Sequence, residues 1–338
     1  MRAVVAVLLA VVCNSARAEI YELPPEGYDV IGAIGSVTAR HEDTLVDIAR
    51  RHGLGYQDIV RANPDVHVWV PGKGTEVILP TRFVLPPGPR EGVILNLAEY
   101  RMYYFPKPQE GEPAYVLTYP ISIGRMDWET PLGVTQVVSK SRDPAWYPPQ
   151  SVREEHAADG DPLPGVVPPG PDNPLGSRAM RLGLPGYLIH GTNRPAGVGM
   201  RVTHGCIRMF PEDIEFLFEQ VDVRTPVRII NSPVKLGWEG DRLVLEVHPV
   251  LETATPKLDG FAEEMLEKMD VSENSVELLP ETTKNPLTMV TEQFIAATTE
   301  RSGQLDWRIV EGLVDRSNGI PTVVGEGIKN AATSAASE

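Results

Sequence analysis

Cysteine is almost missing from this 338-residue chain, which holds only Cys13 and Cys206. Two thiols rule out a disulfide framework of the kind that staples small secreted domains. Basic charge is also short, with 31 Lys and Arg against 46 Asp and Glu and a net charge of −15. That balance argues against nucleic acid, whose binding rests on basic patches. Aromatic residues make up only 7%. Long apolar runs are lacking too. The longest, at 3–13, is well short of the roughly 20 residues that cross a bilayer as a helix. No transmembrane segment is therefore expected in the mature protein.

That short run has another reading. Arg2 precedes it and Ala16-Arg17-Ala18 follows it, the pattern of a secretory leader cleaved after residue 18. Val12 stands where a lipidated Cys13 would want a small residue, so simple secretion is the preferred reading. Cleavage would remove Cys13 and leave Cys206 as the sole thiol, with no intramolecular partner. A lone thiol in an oxidising compartment is a liability unless it reacts with something.

Proline is abundant, at 32 residues, and it punctuates the chain. Residues 29–80 read as a compact unit of strand, helix, helix and strand. Thr44 and Asp47 form a short capping box ahead of Leu45, Ile48 and Ala49. A second helix runs from Tyr56 to Ala62, Asn63-Pro64 ends it, and Glu76 to Leu79 returns as a strand. Asp43-Thr44-Leu45, Ile48-Ala49, Ala62-Asn63-Pro64 and the 71–80 finish resemble a LysM domain. The resemblance implies binding of peptidoglycan glycan chains. Residues 81–91, with Pro86-Pro87-Gly88-Pro89, read as a semi-rigid linker.

Strands are expected at 92–97, 101–105, 114–123 and 133–140. A proline-rich insertion at 143–177 suits a lid or groove wall as well as a solvated excursion. A helix starting at Pro211 carries an apolar stripe of Ile214, Leu217, Phe218 and Val221. Val227 to Ile230 closes the domain, and 232–254 reads as a strand extension. Residues 251–338 hold 16 acidic and 7 basic side chains. An acidic tail, 255–338, is expected to be helical in pieces (261–269 and 305–314) and disordered at its end.

The chemistry gathers in two short stretches. His190-Gly191 ends a strand, and Thr203-His204-Gly205-Cys206-Ile207-Arg208 follows thirteen residues later. A thiol with an ordinary pKa of about 8.5 needs help to react as thiolate at neutral pH, and an imidazole in reach supplies it. Glycine at 205 admits close backbone approach, and the N–H groups of His204, Gly205 and Cys206 are candidate oxyanion donors. Spacing alone does not choose between His190 and His204 as the base. It also leaves open a zinc site on His190, His204 and Cys206, or a buried inert cysteine.

The His-Gly pair and the Thr-His-Gly-Cys-Ile-Arg run, with Thr130-Pro131-Leu132-Gly133 upstream, resemble the L,D-transpeptidase (YkuD-type) catalytic domain over 92–231. The leader, the LysM-like unit and an insertion containing Asn173-Pro174-Leu175-Gly176 resemble its Gram-negative periplasmic subgroup. The resemblance implies a mainly β, sandwich-like catalytic domain with a short helix after the cysteine, located in the periplasm. It implies Cys206 as nucleophile, His190 as base and the Gly191 carbonyl orienting that imidazole. Thr203, His204, Gly205 and Arg208 would shape the pocket, with Arg208 either pairing a substrate carboxylate or supporting the loop. No cofactor or metal is implied. The donor would be a stem peptide ending in diaminopimelate-D-Ala. The acceptor would be a lysine of an outer-membrane lipoprotein, the amine of a second stem or, for a carboxypeptidase, water. A non-catalytic wall-binding protein is the rival from another class.

Overall fold

The computed structural model describes residues 19–126, 128–251, 277–278 and 284–328. Its centre is set by two strands, Gly92–Asn96 and Arg101–Phe105, antiparallel neighbours buried at every position. Side chains alternate along a strand. Val93, Leu95, Met102 and Tyr104 therefore enter one core while Ile94, Tyr103 and Phe105 enter a second. A sheet covered on both faces needs such a continuous apolar run rather than an alternation of apolar and polar residues.

The main sheet has ten strands. From one edge it runs Glu19–Glu22, Tyr115–Pro120, Arg101–Phe105, Gly92–Asn96, Pro226–Ile230, Gly133–Arg142, Arg178–Leu182, Leu188–His190 and Ile207–Arg208, with Glu277–Leu278 paired beside Gly133. The long strand Gly133–Arg142 joins two halves. Residues 133–136 pair with Pro226–Ile230, and 137–142 pair with Arg178–Leu182 with a register irregularity between Val137 and Ser139. The mainly β architecture agrees with the sequence reading.

One face is covered by the N-terminal unit. Gly35–Thr38 pairs antiparallel with Glu76–Leu79, and helices α1 (Leu45–Arg51) and α2 (Tyr56–Ala62) lie between them in the chain. Thr44 caps α1, its hydroxyl accepting the Asp47 N–H at 3.0 Å while the Asp47 carboxylate accepts the Thr44 N–H at 3.2 Å. Leu45, Ile48, Leu54, Ile59 and Val77 pack with Ile94, Tyr103 and Val116 in a shared core. Arg101, buried under this contact, bonds Asp58 at 2.6 Å.

The expected linker at 81–91 is a correction. Arg82–Val84 is a strand paired with Val30–Gly32, and Phe83, Val84 and Leu85 are buried. The prolines begin only at Pro86, so the apolar Phe-Val-Leu run is free to pair before them.

The insertion carries helix α3 (Gln150–Ala158), with Trp146 bridging Val167 and the Asn173 amide reaching the carbonyls of Pro144, Val167 and Pro168. Helix α4 (Pro211–Gln220) puts Ile214, Leu217 and Phe218 into the first core. Within the expected acidic tail the helix expected at 305–314 is present at Trp307–Arg316, while the strands and packing around it differ from the expectation. Residues 284–328 contribute helices α5 (Pro286–Ala297) and α6 (Trp307–Arg316) and strands Gly303–Leu305 and Thr322–Gly327. They complete a four-stranded sheet on the hairpin Val234–Glu239/Arg242–Val247. Val290, Val310, Leu313 and Val324 cover Leu236, Trp238, Leu243 and Leu245. Each half exposes an apolar face alone, so the two halves fold as one. The helix expected at 261–269 and the disorder expected at 331–338 lie outside the described residues, as does the leader at 1–18.

A buried polar cluster sits where these parts meet. Lys235 Nζ lies 2.6 Å from Glu99 and 3.0 Å from Glu246, while His248 bonds Glu246 at 2.6 Å and the Val84 N–H donates to Glu246 at 2.7 Å. Glu99, Glu246 and His248 are the only trio of metal-capable side chains grouped together among the described residues. The Lys235 ammonium already supplies the positive charge between their carboxylates.

Candidate active site

The site forms where the last two strands of the main sheet lie side by side. Leu188–His190 and Ile207–Arg208 run parallel, with Ile189 opposite Ile207 and His190 opposite Arg208. Cys206 immediately precedes the second strand. The register sets Cys206 level with Leu188, two residues short of His190 along the neighbouring strand, a proximity that sequence separation alone does not indicate.

His190 is buried, and its Nδ1 lies 2.7 Å from the Gly191 carbonyl. A carbonyl only accepts, so Nδ1 carries the proton and Nε2 keeps its lone pair. Burial, with the Arg208 guanidinium second, pushes the imidazole pKa down to about 3. The ring is therefore neutral and able to accept a proton at physiological pH. Gly191 sits in a tight space, since a Cβ there would stand 3.0 Å from Ile214 of α4 and 3.3 Å from the Leu175 carbonyl, and those neighbours would have to give by a few tenths of an ångström. Leu175 belongs to the Asn173–Gly176 turn, so the insertion packs against Gly191, the residue whose carbonyl holds His190.

Cys206 is partly exposed, with its sulfur 3.6 Å from the Gly186 carbonyl. Burial pushes the thiol up to about 11, opposed by a backbone hydrogen bond from Leu188 and by the Arg208 charge. The resting pair is a thiol and a neutral imidazole.

Two hydroxyls fix the backbone around the thiol. Thr130 Oγ1 donates to the Gly205 carbonyl at 2.7 Å and Thr203 Oγ1 to the Cys206 carbonyl at 2.6 Å. In a trans peptide the N–H points opposite to the C=O. Anchoring the Gly205 carbonyl therefore aims the Cys206 N–H away from Thr130, as an oxyanion donor requires. Gly205 has φ +92°, and a Cβ there would meet the Tyr187 ring at 2.8 Å. Only glycine fits both constraints.

His204 does not face the thiol chemistry in the same way. Its Nε2 is 2.8 Å from Glu155 of α3, and its ring stands edge-on to Trp128 at 5.2 Å between centroids. Glu155 also accepts from Arg125 at 2.5 Å. Arg125 and His204 hold the Glu155 carboxyl below its usual range, hydrogen bonding by Arg125 contributing most. Arg208 exchanges backbone hydrogen bonds with Ser122, at 2.8 and 3.1 Å. Its Nε is buried with no hydrogen-bond partner among the described residues. The sequence reading missed Glu155, Arg125, Trp128 and Tyr187 and treated Thr130 only as part of a turn. No spacing signal marks them, because folding alone brings them to residues 203–206.

A partly exposed thiol, a neutral imidazole held in one tautomer and a hydroxyl-anchored glycine turn define a centre suited to cysteine acyl transfer. The family model for the L,D-transpeptidase catalytic domain, YkuD, matches residues 90–229. The probable L,D-transpeptidase YbiS of Escherichia coli K12 is 40% identical over 252 residues, 73% of this chain and 81% of the relative. The probable L,D-transpeptidase YcfS of the same organism is 42% identical over 243 residues, 70% and 74%. The probable L,D-transpeptidase ErfK/SrfK of Salmonella typhimurium is 36% identical over 311 residues, 91% of each. The chain belongs to the L,D-transpeptidase family, cysteine acyltransferases that act on peptidoglycan. Among the described residues, no helix is long and apolar enough to cross a membrane.

Proposed function

We propose that this chain is a periplasmic peptidoglycan L,D-transpeptidase with Cys206 as nucleophile and His190 as base. The observation that carries the assignment is the His190 tautomer. Nδ1–H is committed to Gly191, so Nε2 is the nitrogen that accepts the thiol proton. Because thiol and imidazole rest neutral, proton transfer accompanies attack rather than preceding it. The Cys206 sulfur bonds to the diaminopimelate carbonyl carbon of a tetrapeptide stem, and the oxygen charge develops against the Cys206 N–H and its neighbours. Collapse breaks the bond to D-Ala, whose nitrogen takes the proton from His190. The thioester is then attacked by an amine, from a lipoprotein lysine or a second diaminopimelate. Its proton passes to His190 and from there to the departing Cys206 sulfur, which restores the thiol and the neutral imidazole.

Arg208 is assigned to a substrate carboxylate, supported by its unpartnered buried Nε beside the thiol strand. Thr203, Thr130 and Gly205 shape the turn, and Glu155 holds His204. The βααβ unit is assigned to glycan chains, and the leader to export.

The test is to incubate residues 19–338 and Cys206→Ala with disaccharide-tetrapeptide, following products and intact protein by mass spectrometry. D-Ala release and a transient acyl adduct on the unsubstituted protein only are expected. Equal D-Ala release by Cys206→Ala would refute the thiol mechanism. Dimeric products would identify cross-linking, and turnover that needs an added lysine-ended lipoprotein would identify tethering.

A further inference from the structure

The loop between His190 and Cys206 is gripped from two sides. On one, Ser122 Oγ donates to the Gly197 carbonyl at 2.8 Å and the Ile123 N–H to the Met200 carbonyl at 3.2 Å. On the other, the N-terminal unit reaches across. The Tyr56 N–H donates to the Val198 carbonyl at 3.0 Å and the Gln57 N–H to the Gly199 carbonyl at 3.3 Å. These are amides that a helix start leaves without partners inside the helix. Here the catalytic loop takes them up.

The approach is close enough to exclude side chains. A Cβ on Gly55 would stand 2.8 Å from Gly199 Cα, and one on Gly199 would stand 2.4 Å from the Tyr56 nitrogen. Gly199 also has φ +87°, a conformation glycine tolerates best. Beside this contact, Arg50 of α1 forms a two-pronged pair with Glu212 of α4, at 2.7 and 2.8 Å. Its guanidinium carbon lies 5.4 Å from the Phe210 ring centroid. The contact continues into the site. A Cβ on Gly197 would be 3.8 Å from Arg208, and Arg208 is the cross-strand partner of His190.

We propose that the first turn of α2 is a positioning element of the catalytic centre. By holding residues 198–199 it fixes the segment that joins His190 to Cys206. Turnover then depends on the docked N-terminal unit even for a substrate with no glycan to hold. This rests on the acyl-transfer reading and adds to the glycan-binding role a second one, independent of the polymer.

The test uses residues 19–338 and a glycan-free tetrapeptide, which removes tethering from the comparison. Gly55→Ala wedges a methyl group between α2 and the loop. Arg50→Glu breaks the neighbouring pair, and Arg50→Glu with Glu212→Arg restores it reversed. Displacement of a catalytic group by about 1 Å can cost on the order of 100-fold. Gly55→Ala and Arg50→Glu are expected to lower kcat roughly 10- to 100-fold with KM little changed, and the reversed pair to recover most of it. Amide hydrogen exchange over 194–206 is expected to quicken in both single variants and slow again in the reversed pair. Wild-type kcat in Gly55→Ala and Arg50→Glu would overturn the proposal even if exchange quickened. If unsubstituted enzyme releases no D-Ala, the acyl-transfer reading fails by itself, and unchanged exchange would then overturn the clamp separately. Should Gly55→Ala not fold, Arg50→Glu and its reversal decide the matter.

Discussion

At the scale of single residues, the site is poised as a neutral pair. Burial raises the Cys206 thiol to about 11 and lowers His190 to about 3. His190 has a depressed pKa, so it is charged only below about pH 3 and its Nε2 lone pair is unprotonated throughout the neutral range. The thiol has a raised pKa, so the thiolate fraction grows as pH rises and levels off only near pH 11. Iodoacetamide alkylation of Cys206 is therefore expected to quicken about tenfold per pH unit from pH 6 to 9. Intact-mass kinetics would check this, and a plateau below pH 8 would reveal a pre-formed thiolate–imidazolium pair instead. Removing the base has a different signature. His190→Ala should lose acyl transfer by roughly 100- to 10,000-fold while alkylation at pH 9 changes far less.

Among the secondary-structure elements, helix α3 is attached to the site mainly through Glu155. The carboxylate bonds both His204 and Arg125, with the three side chains about one-third exposed or less. Ion pairs that solvent still reaches contribute roughly 0.2–1 kcal/mol. Glu155→Ala should quicken amide exchange across 150–158 by about two- to fivefold. It should also lower the His204 pKa, since Glu155 favours the imidazolium, and histidine NMR titration would read the sign. An unchanged His204 titration would show that the pair does not persist in solution. The sequence foretold elements unevenly for related reasons. The capping box at Thr44, the Tyr56–Ala62 helix and the apolar pair of strands at 92–105 carry their signals locally. The motif around Cys206 was legible because its residue types are contiguous. Glu155 lies 49 residues from His204 in sequence, and nothing near it announces a partner. The strand Arg82–Val84 was hidden by the prolines that follow it. Strands Gly303–Leu305 and Thr322–Gly327 were obscured by an acidic composition that resembles a solvated tail, although Val310, Leu313 and Val324 are buried.

For the whole molecule, the cluster around Lys235 decides whether three regions behave as one. Glu99 comes from the turn that joins strands Gly92–Asn96 and Arg101–Phe105 of the main sheet, Lys235, Glu246 and His248 from the hairpin region that residues 284–328 complete, and the Val84 N–H from the strand that closes the N-terminal part. Lys235 and both carboxylates are essentially without solvent contact. Burial pushes Glu99 and Glu246 upward and His248 down to about 3, while the Lys235 charge favours both carboxylates in their ionised form. Deleting one partner from a buried ion cluster leaves an uncompensated charge, at a cost of about 3–5 kcal/mol. Lys235→Met should therefore lower the melting temperature by about 6 °C or more for a chain of this size. The loss should be larger at pH 8 than at pH 5, because the orphaned carboxylates can take up protons at low pH and not at high pH. Adding Glu99→Gln and Glu246→Gln to Lys235→Met removes the unpaired charges and should recover part of the loss. Calorimetry distinguishes the outcomes. A single transition that moves down in Lys235→Met would mark the cluster as a common support. Separation into two transitions would mean that it is chiefly what couples the C-terminal sheet to the catalytic one. A melting temperature unchanged at pH 8 would mean that the cluster supports neither.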